Sequence, residues 1–287
     1  MRHHSLTGRA IQVAAATLLA GLATASAADL ETIREQNSIR IAVANEEPYG
    51  YVDEQGDAHG AGPEVAMHLM EELGIGSIEW IVTDFSDLIP GLREGRFDMA
   101  AAEMAILPER CEQVLYSVPN TTYGEGLLVR AGNPEELTAY DDLAGRNEYR
   151  VAVMAGADQR EILTTLGVPE DKIVTIERNE QAIDAIVNGE ADAYAATGLT
   201  VTTLEQQSRE VEAARNFSDP VIEGEEVRSW GGFAFGPEAE ALRDAVNEAL
   251  LAYKRTDAWE DTLTAHGFTQ EDVLNSFKYS TEELCQG

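Results

Sequence analysis

The sequence predicts an α/β protein in two halves, with the second half inserted into the first so that the chain crosses between them twice. Three observations lead there. Short apolar runs alternate with amphipathic segments along the chain, the pattern of βα units. The alternation falls into two blocks, one closing near Val129 and one running from Tyr149 to Ser208. A further apolar strand, Trp230-Gly-Gly-Phe-Ala-Phe235, then leads into two more helices, which returns the chain to its first half. The expected boundaries are 28–129 with 230–287 for one lobe and 130–229 for the other. Lobes joined in this way enclose a cleft and move on a hinge.

The elements follow in order. Ile39 to Val43 reads as a strand, and Tyr49 to Val52 as another that turns at Asp53-Glu-Gln-Gly56. Pro63 to Glu72 is helical, with Val65, Ala66, Leu69 and Leu73 along one stripe. Ile78 to Val82 is a strand, Phe85 to Glu94 a short helix stopped by Gly95, and Met99 to Ala102 a strand. Pro108 and Glu109 suit a first helical turn, which carries Arg110. Gly124 to Val129 reads as a strand leaving this unit.

The second block begins with a short helix at Asp141 to Leu143 and a strand at Tyr149 to Met154 ended by Gly156. Asp158 suits the N-cap of a helix that runs to Leu166. A strand at Lys172 to Ile176, a helix at Asn179 to Asn188 closed by Gly189, a strand at Ala191 to Ala196 and a helix at Thr200 to Ser208 complete it. After the return strand, Leu242 to Arg255 and Trp259 to His266 are amphipathic helices.

Composition narrows the class. Residues 1–27 read as a secretory signal: Arg2 and Arg9 at the start, an apolar stretch from Ile11 to Leu22, and Ala25-Ser26-Ala27 as the cleavage site. An exported, periplasmic chain is expected. Its net charge of −32 becomes −34 once Arg2 and Arg9 are lost. That excess of acid argues against nucleic acid or an anionic membrane as partner. It fits a saline setting, where salt screens self-repulsion, or simply an acidic periplasmic protein. An oxidising compartment permits a bridge between the two cysteines, Cys111 and Cys285. His59, His68 and His266 lack metal-ligand spacing, and no phosphate-loop or nucleophile-elbow motif is present, so neither metal nor cofactor is expected.

Ligands of open α/β sheets bind at the carboxyl ends of strands, where Tyr49, Arg110, Asp158 and Thr197 fall. A guanidinium at a strand-to-helix junction can hold a carboxylate. Each residue also has a plain structural reading. Arg110 is then a solvated helix-terminal cation, Tyr49 and Phe85 are core rings, and Glu46 and Glu47 are loop acids in water. Asp158 is then an N-cap, and only the N–H groups around it, such as that of Ala157, would touch an anion.

The chain resembles the periplasmic solute-binding proteins of polar amino-acid-type ABC importers, which have a two-lobed type II fold. The matching stretches are Ile39-Arg-Ile-Ala-Val-Ala-Asn-Glu-Glu-Pro-Tyr-Gly-Tyr51, Asp87-Leu-Ile-Pro-Gly-Leu-Arg-Glu-Gly-Arg-Phe-Asp98, Leu107-Pro-Glu-Arg110, Gly189-Glu-Ala-Asp-Ala193 and Gly231-Gly-Phe-Ala-Phe235. Within that family it looks most like the ectoine/hydroxyectoine-binding subgroup, through Asn45-Glu-Glu-Pro-Tyr49, Pro108-Glu-Arg-Cys111 and Glu283-Leu-Cys285. The resemblance implies that Arg110 grips a ligand carboxylate. It also implies that Glu46, with the faces of Tyr49 and Phe85, receives a delocalised cation. In the wider family an acid after the strand at 192–196 takes an α-ammonium; here Thr197 stands there, which speaks against an ordinary amino acid.

Two positions depart from the pattern. Ala105 replaces an aromatic wall, with Tyr123 or Trp230 as candidates to fill in. Glu103 stands where Gly is common, either adding negative potential to the cleft or pointing to solvent. The expected function is capture of a small zwitterionic compatible solute by a monomer that docks on a membrane permease. The alternatives are an amino acid or betaine binder, and a prephenate-type dehydratase on the same fold with Glu46 or Glu103 as its acid.

Overall fold

The computed structural model describes residues 30–146 and 148–287, so the expected export signal lies outside the described residues. Two large sheets form among the described residues, beside two small two-stranded ones, and the large ones share one plan. In the first, Ser77–Val82, Ser38–Val43 and Met99–Ala105 run parallel, and Ser229–Phe235 lies antiparallel beside Met99–Ala105. Leu115–Tyr116 and Thr121–Tyr123 pair with the far side of that returning strand. In the second, Ile173–Ile176, Val151–Met154 and Ala193–Thr197 run parallel, followed by antiparallel Glu125–Arg130 and then Val211–Ala213.

The boundary expected after Val129 is therefore displaced. Glu125–Arg130 belongs wholly to the second sheet, where Leu127 faces Ala195 and Val129 faces Ala193, so the first crossing lies at Gly124. Its apolar run marks it as a strand, but a strand's sheet is chosen by its partners, which local pattern does not name. On the return, Ser229 already pairs with Tyr123 in the first sheet.

Helices cover both faces of each sheet. In the first lobe, Ala61–Glu72 buries Val65, Ala66, Leu69 and Met70 against one face, and Glu240–Tyr253 adds Leu242, Val246 and Leu250. Leu88, Leu92, Phe97 and Val114 fill the other face. The second lobe repeats this with Leu127, Val153 and Leu163 on one side and Ala182, Ile186, Tyr194 and Leu204 on the other. Among the described residues, Leu199 is the one second-lobe apolar side chain packed onto a first-lobe layer. The lobes meet mainly through polar groups, which suits relative motion. No described helix is long and apolar enough to cross a membrane.

Phe85 to Glu94, expected as one helix, is a 3₁₀ turn, Phe85–Asp87, followed by Leu88–Arg93. Two short helices at the end, Gln270–Asn275 and Thr281–Gln286, each start with a capping box. Cys285 on the last is joined to Cys111 in a disulfide, which fastens the tail beside the turn that carries Arg110.

Candidate functional site

The loop from Asn45 to Gly50 closes on itself: Glu46 and Gly50 exchange backbone hydrogen bonds of 2.9 and 2.8 Å. A side chain at Gly50 would meet the carbonyl oxygen of Ala101 at 2.5 Å, so only glycine lets the loop lie on the central strand. That contact aims Tyr49 inward, where its ring packs edge-on against Tyr123 and Phe268. The hydroxyl crosses to the second lobe and donates to Thr197 Oγ1 at 2.8 Å.

A directional chain continues from there. Thr197 donates to Thr200 Oγ1 at 2.9 Å, and Thr200 donates to Glu46 Oε1 at 2.9 Å. Each hydroxyl has one proton to give, and the chain ends on a carboxylate, which only accepts. It runs from the first lobe to the second and back. Thr197 is also the N-cap of Gly198–Gln207, accepting from the Thr200 N–H. A carboxylate at 197 would have no proton to pass on and would face Glu46. Burial pushes the Glu46 carboxyl above its ordinary value, against the bonds from Thr200 and Asn179.

Arg110 lies in a single helical turn, Pro108–Cys111, so its guanidinium, not a helix end, is the cationic feature here. It is buried. Nη1 donates to the Ala105 carbonyl and Nη2 to the Gly156 carbonyl of the other lobe, each at 3.0 Å. Burial works most strongly against its charge, but Asp158, Tyr116, Tyr123 and Glu109 together hold the group above its usual value. Phe85 lies beneath it, 5.7 Å from ring centre to guanidinium carbon. Gly156 has φ +80, and its missing side chain would sit 3.0 Å from Ser86 Cα, so glycine lets the lobes approach here.

The second lobe supplies Met154, Ala157, Asp158, Gln159, Tyr194, Ala196 and Thr197. Asp158 occupies the N-cap position of Gln159–Thr165, but its side chain makes no capping bond. It faces the cavity instead, with Ser229 Oγ at 3.4 Å, because its backbone is helical and turns the carboxylate away from the helix start. The expected capping role is corrected accordingly.

All nine residues singled out from sequence, Glu46, Tyr49, Phe85, Glu103, Ala105, Arg110, Ala157, Asp158 and Thr197, line one cavity of about 30 Å³ between the lobes. Tyr123 lines it too, beside Ala105. Trp230 does not: its Nε1 donates to the Asn275 carbonyl at 2.9 Å and its ring packs on Tyr279. Glu103 departs from both expectations. Its carboxylate turns into the first lobe, accepting from Asn120 and Thr121 at 2.7 Å each, and is neither solvent-exposed nor a source of cleft charge. Burial pushes it up to about 7, against those two bonds and the charge of Lys254. Sequence reasoning missed Gln159, Tyr194 and Met154; the position of Gln159 beside Asp158, after the strand Val151–Met154, was the available signal. No cluster of metal-ligating side chains occurs among the described residues.

A two-lobed α/β molecule with a polar cleft, one buried guanidinium and aromatic walls is a solute receptor by architecture. The sequence pattern of the bacterial extracellular solute-binding proteins, family 3, matches residues 39–267, and the chain belongs to that family. It is 46% identical over 281 residues to a probable amino-acid ABC transporter periplasmic-binding protein, y4tE, of Sinorhizobium fredii, covering 97% of this chain and 93% of the relative. Its fold is similar to that of EhuB in complex with hydroxyectoine, with a TM-score of 0.80 and 28% identity, covering 89% of this chain and 96% of the other. It is also similar to an ancestral amino acid-binding protein, a precursor of cyclohexadienyl dehydratase, with a TM-score of 0.72 and 25% identity over 83% of this chain and 99% of that one. The fold is the type II periplasmic binding protein fold.

Proposed function

We propose that this chain captures a small zwitterion with a delocalised cation, of the ectoine and hydroxyectoine class, and delivers it to an ABC permease from the periplasm as a monomer after loss of residues 1–27. The observation that carries this is the state of Thr197. Its hydroxyl is committed to the chain from Tyr49 to Glu46, so no acid stands where an α-ammonium would be received. The cavity offers instead one guanidinium, the carboxylates of Glu46 and Asp158, and the rings of Tyr49, Phe85 and Tyr123. Arg110 meets the ligand carboxylate in exchange for its carbonyl partners, and the rings face the amidinium, a contact worth about 0.5–2 kcal/mol each. The solved relative that holds hydroxyectoine supports the same reading. The acidic surface suits a cell that gathers such solutes against salt.

A second reading follows from Asp158. Two carboxylates face one guanidinium, a balance that also suits a cationic amino acid such as arginine. A dehydratase is disfavoured because both acids named for it are engaged, Glu46 by Thr200 and Glu103 by Asn120 and Thr121. Competition calorimetry on the chain without residues 1–27 separates these readings. Ectoine or hydroxyectoine is expected to bind at least about tenfold, or about 1.4 kcal/mol, tighter than arginine, glutamine or glutamate. An amino acid that binds tighter than ectoine overturns the ligand assignment and leaves the receptor assignment in place.

A further inference from the structure

The second-lobe wall holds a polar side chain with only one end accounted for. Gln159 is 3% exposed and lines the cavity. Its Nε2 donates to Glu125 Oε2 at 2.8 Å. The same oxygen lies 3.0 Å from the Tyr140 hydroxyl, which also reaches the carbonyls of Gly126 and Ala196. Glu125 is the first residue after the crossing at Gly124, and its backbone N–H donates to Asp219 Oδ1 at 2.6 Å. The carboxyl is therefore held by the strand behind it and by Tyr140 beside it. An amide has a donor end and an acceptor end, and fixing the donor end on Glu125 sends the acceptor the other way.

We infer that Gln159 is a ligand contact whose Oε1 accepts an N–H of the bound cation, and that Glu125 is the positioning residue that sets this orientation. This rests on the proposed reading that the ligand carries N–H donors. The other acceptors support it. Glu46 is tied across the lobes by Thr200, and Asp158 stands next to Gln159 on the same wall, so the second lobe presents adjacent acceptors. Burial, with Asp158 and Asp219 adding to it, pushes the Glu125 carboxyl up to about 8. The bond from Gln159 survives protonation, because Oε2 is the accepting oxygen and Oε1, buried without a partner, is free to carry the proton.

The chemical consequence is selectivity for N–H over N-methyl. A quaternary ammonium has no N–H, so on binding it would bury the Gln159 oxygen unpaired. Glycine betaine should therefore bind far more weakly than ectoine, although it is a carboxylate zwitterion of similar size.

Calorimetry with ectoine, glycine betaine and arginine on four variants tests this, with a melting curve for each to confirm folding. Gln159→Leu is expected to weaken ectoine by about tenfold or more while tightening glycine betaine, which no longer buries an unpaired oxygen, so the ratio between them collapses. A loss of packing alone would weaken both ligands together. Gln159→Glu, read above about pH 8 where Glu125 is ionised, should disrupt binding, because it sets two carboxylates against each other. Adding Glu125→Gln to it reverses the bond, since the amide introduced at position 125 donates to the carboxylate introduced at position 159 and leaves an acceptor facing the ligand; affinity should return to within about threefold of the wild type. Glu125→Gln alone frees the Gln159 amide to rotate and should weaken ectoine.

Wild-type ectoine affinity in Gln159→Leu overturns the inference. So does a double variant weaker than Gln159→Glu, because position 159 would then act as a donor to the ligand carboxylate. If arginine binds the wild type and ectoine does not, the ligand assignment fails. The same variants read on arginine, which also carries N–H donors, still decide the role of Gln159.

Discussion

The two lobes have the same strand plan and give the cavity different things. From the first come long side chains, Glu46, Tyr49, Phe85 and Arg110, with Tyr123 behind them. From the second come the small or neutral side chains of Ala157, Ala196 and Thr197, the longer Met154 and Tyr194, and Asp158 and Gln159 at one helix start. The first lobe anchors its groups in its own core, as when Tyr49 packs on Tyr123 and Phe268. The second reaches across with a carbonyl, Gly156, and the hydroxyls of Thr197 and Thr200. On the proposed reading, a ligand that enters the open cleft meets charge and ring surface on the first lobe, and closure brings backbone and hydroxyl partners over it.

The largest test of this asymmetry is Arg110. Arg110→Ala removes the cavity's cation and the positive charge that Asp158 faces, an expected loss of about 2–5 kcal/mol of binding. Arg110→Lys keeps the charge but loses the two-pronged geometry, and is expected to weaken binding by at least about tenfold. Calorimetry with ectoine reads both. Unchanged affinity in Arg110→Lys would mean that the guanidinium serves only to join the lobes through Gly156.

A smaller effect is expected from the second lobe's hydroxyls. Thr200 is buried and does not line the cavity, and its Oγ1 holds Glu46. Thr200→Val keeps the volume and ends the chain there, leaving a buried carboxylate with one partner fewer, an expected loss of about 1–3 kcal/mol. Because Thr200 is a closure contact and not a ligand contact, the loss should appear as faster dissociation with little change in association. Slower association with unchanged dissociation would show that Glu46 acts on the encounter with ligand and not on closure.

The comparison also explains what the sequence made legible. Strand and helix periodicity is local, and so the alternation of elements was readable, as was the gathering of Tyr49, Arg110, Asp158 and Thr197 at strand ends. Which sheet Glu125–Arg130 joins is decided by Ala193–Thr197, far away in sequence, and so the crossing was placed too late. The short strand Val211–Ala213 and the helices Gln270–Asn275 and Thr281–Gln286 have too few residues for a periodic signal. Side-chain direction was the other limit. Glu103 has φ +48, a backbone turn that no pattern announces, and its carboxylate meets Asn120 and Thr121 instead of the cleft.

That buried acid gives the smallest effect, and it separates the first lobe's interior from the site. In the folded chain Glu103 holds its proton up to about 7, mainly through burial, whereas an exposed Glu releases it near 4.5. Between those values the folded state binds a proton that the unfolded state has lost. Stability from this group is therefore complete below 4.5 and falls as pH rises to about 7. Glu46 and Glu125 are also raised by burial and give a slope of the same sign, so the informative quantity is the difference between variant and wild type. Glu103→Gln should flatten the fall in melting temperature by about 2–4 °C, the shift expected for about 1 kcal/mol in a chain of this size. Lys254, lowered to about 7 by burial, adds the opposite slope above neutrality, so the wild type should recover stability as pH rises further. Ligand affinity at a fixed pH should stay within about threefold of wild type in Glu103→Gln, because the carboxylate faces Asn120 and Thr121 inside the first lobe. A tenfold loss of affinity with an unchanged stability slope would place the acid in the binding site after all.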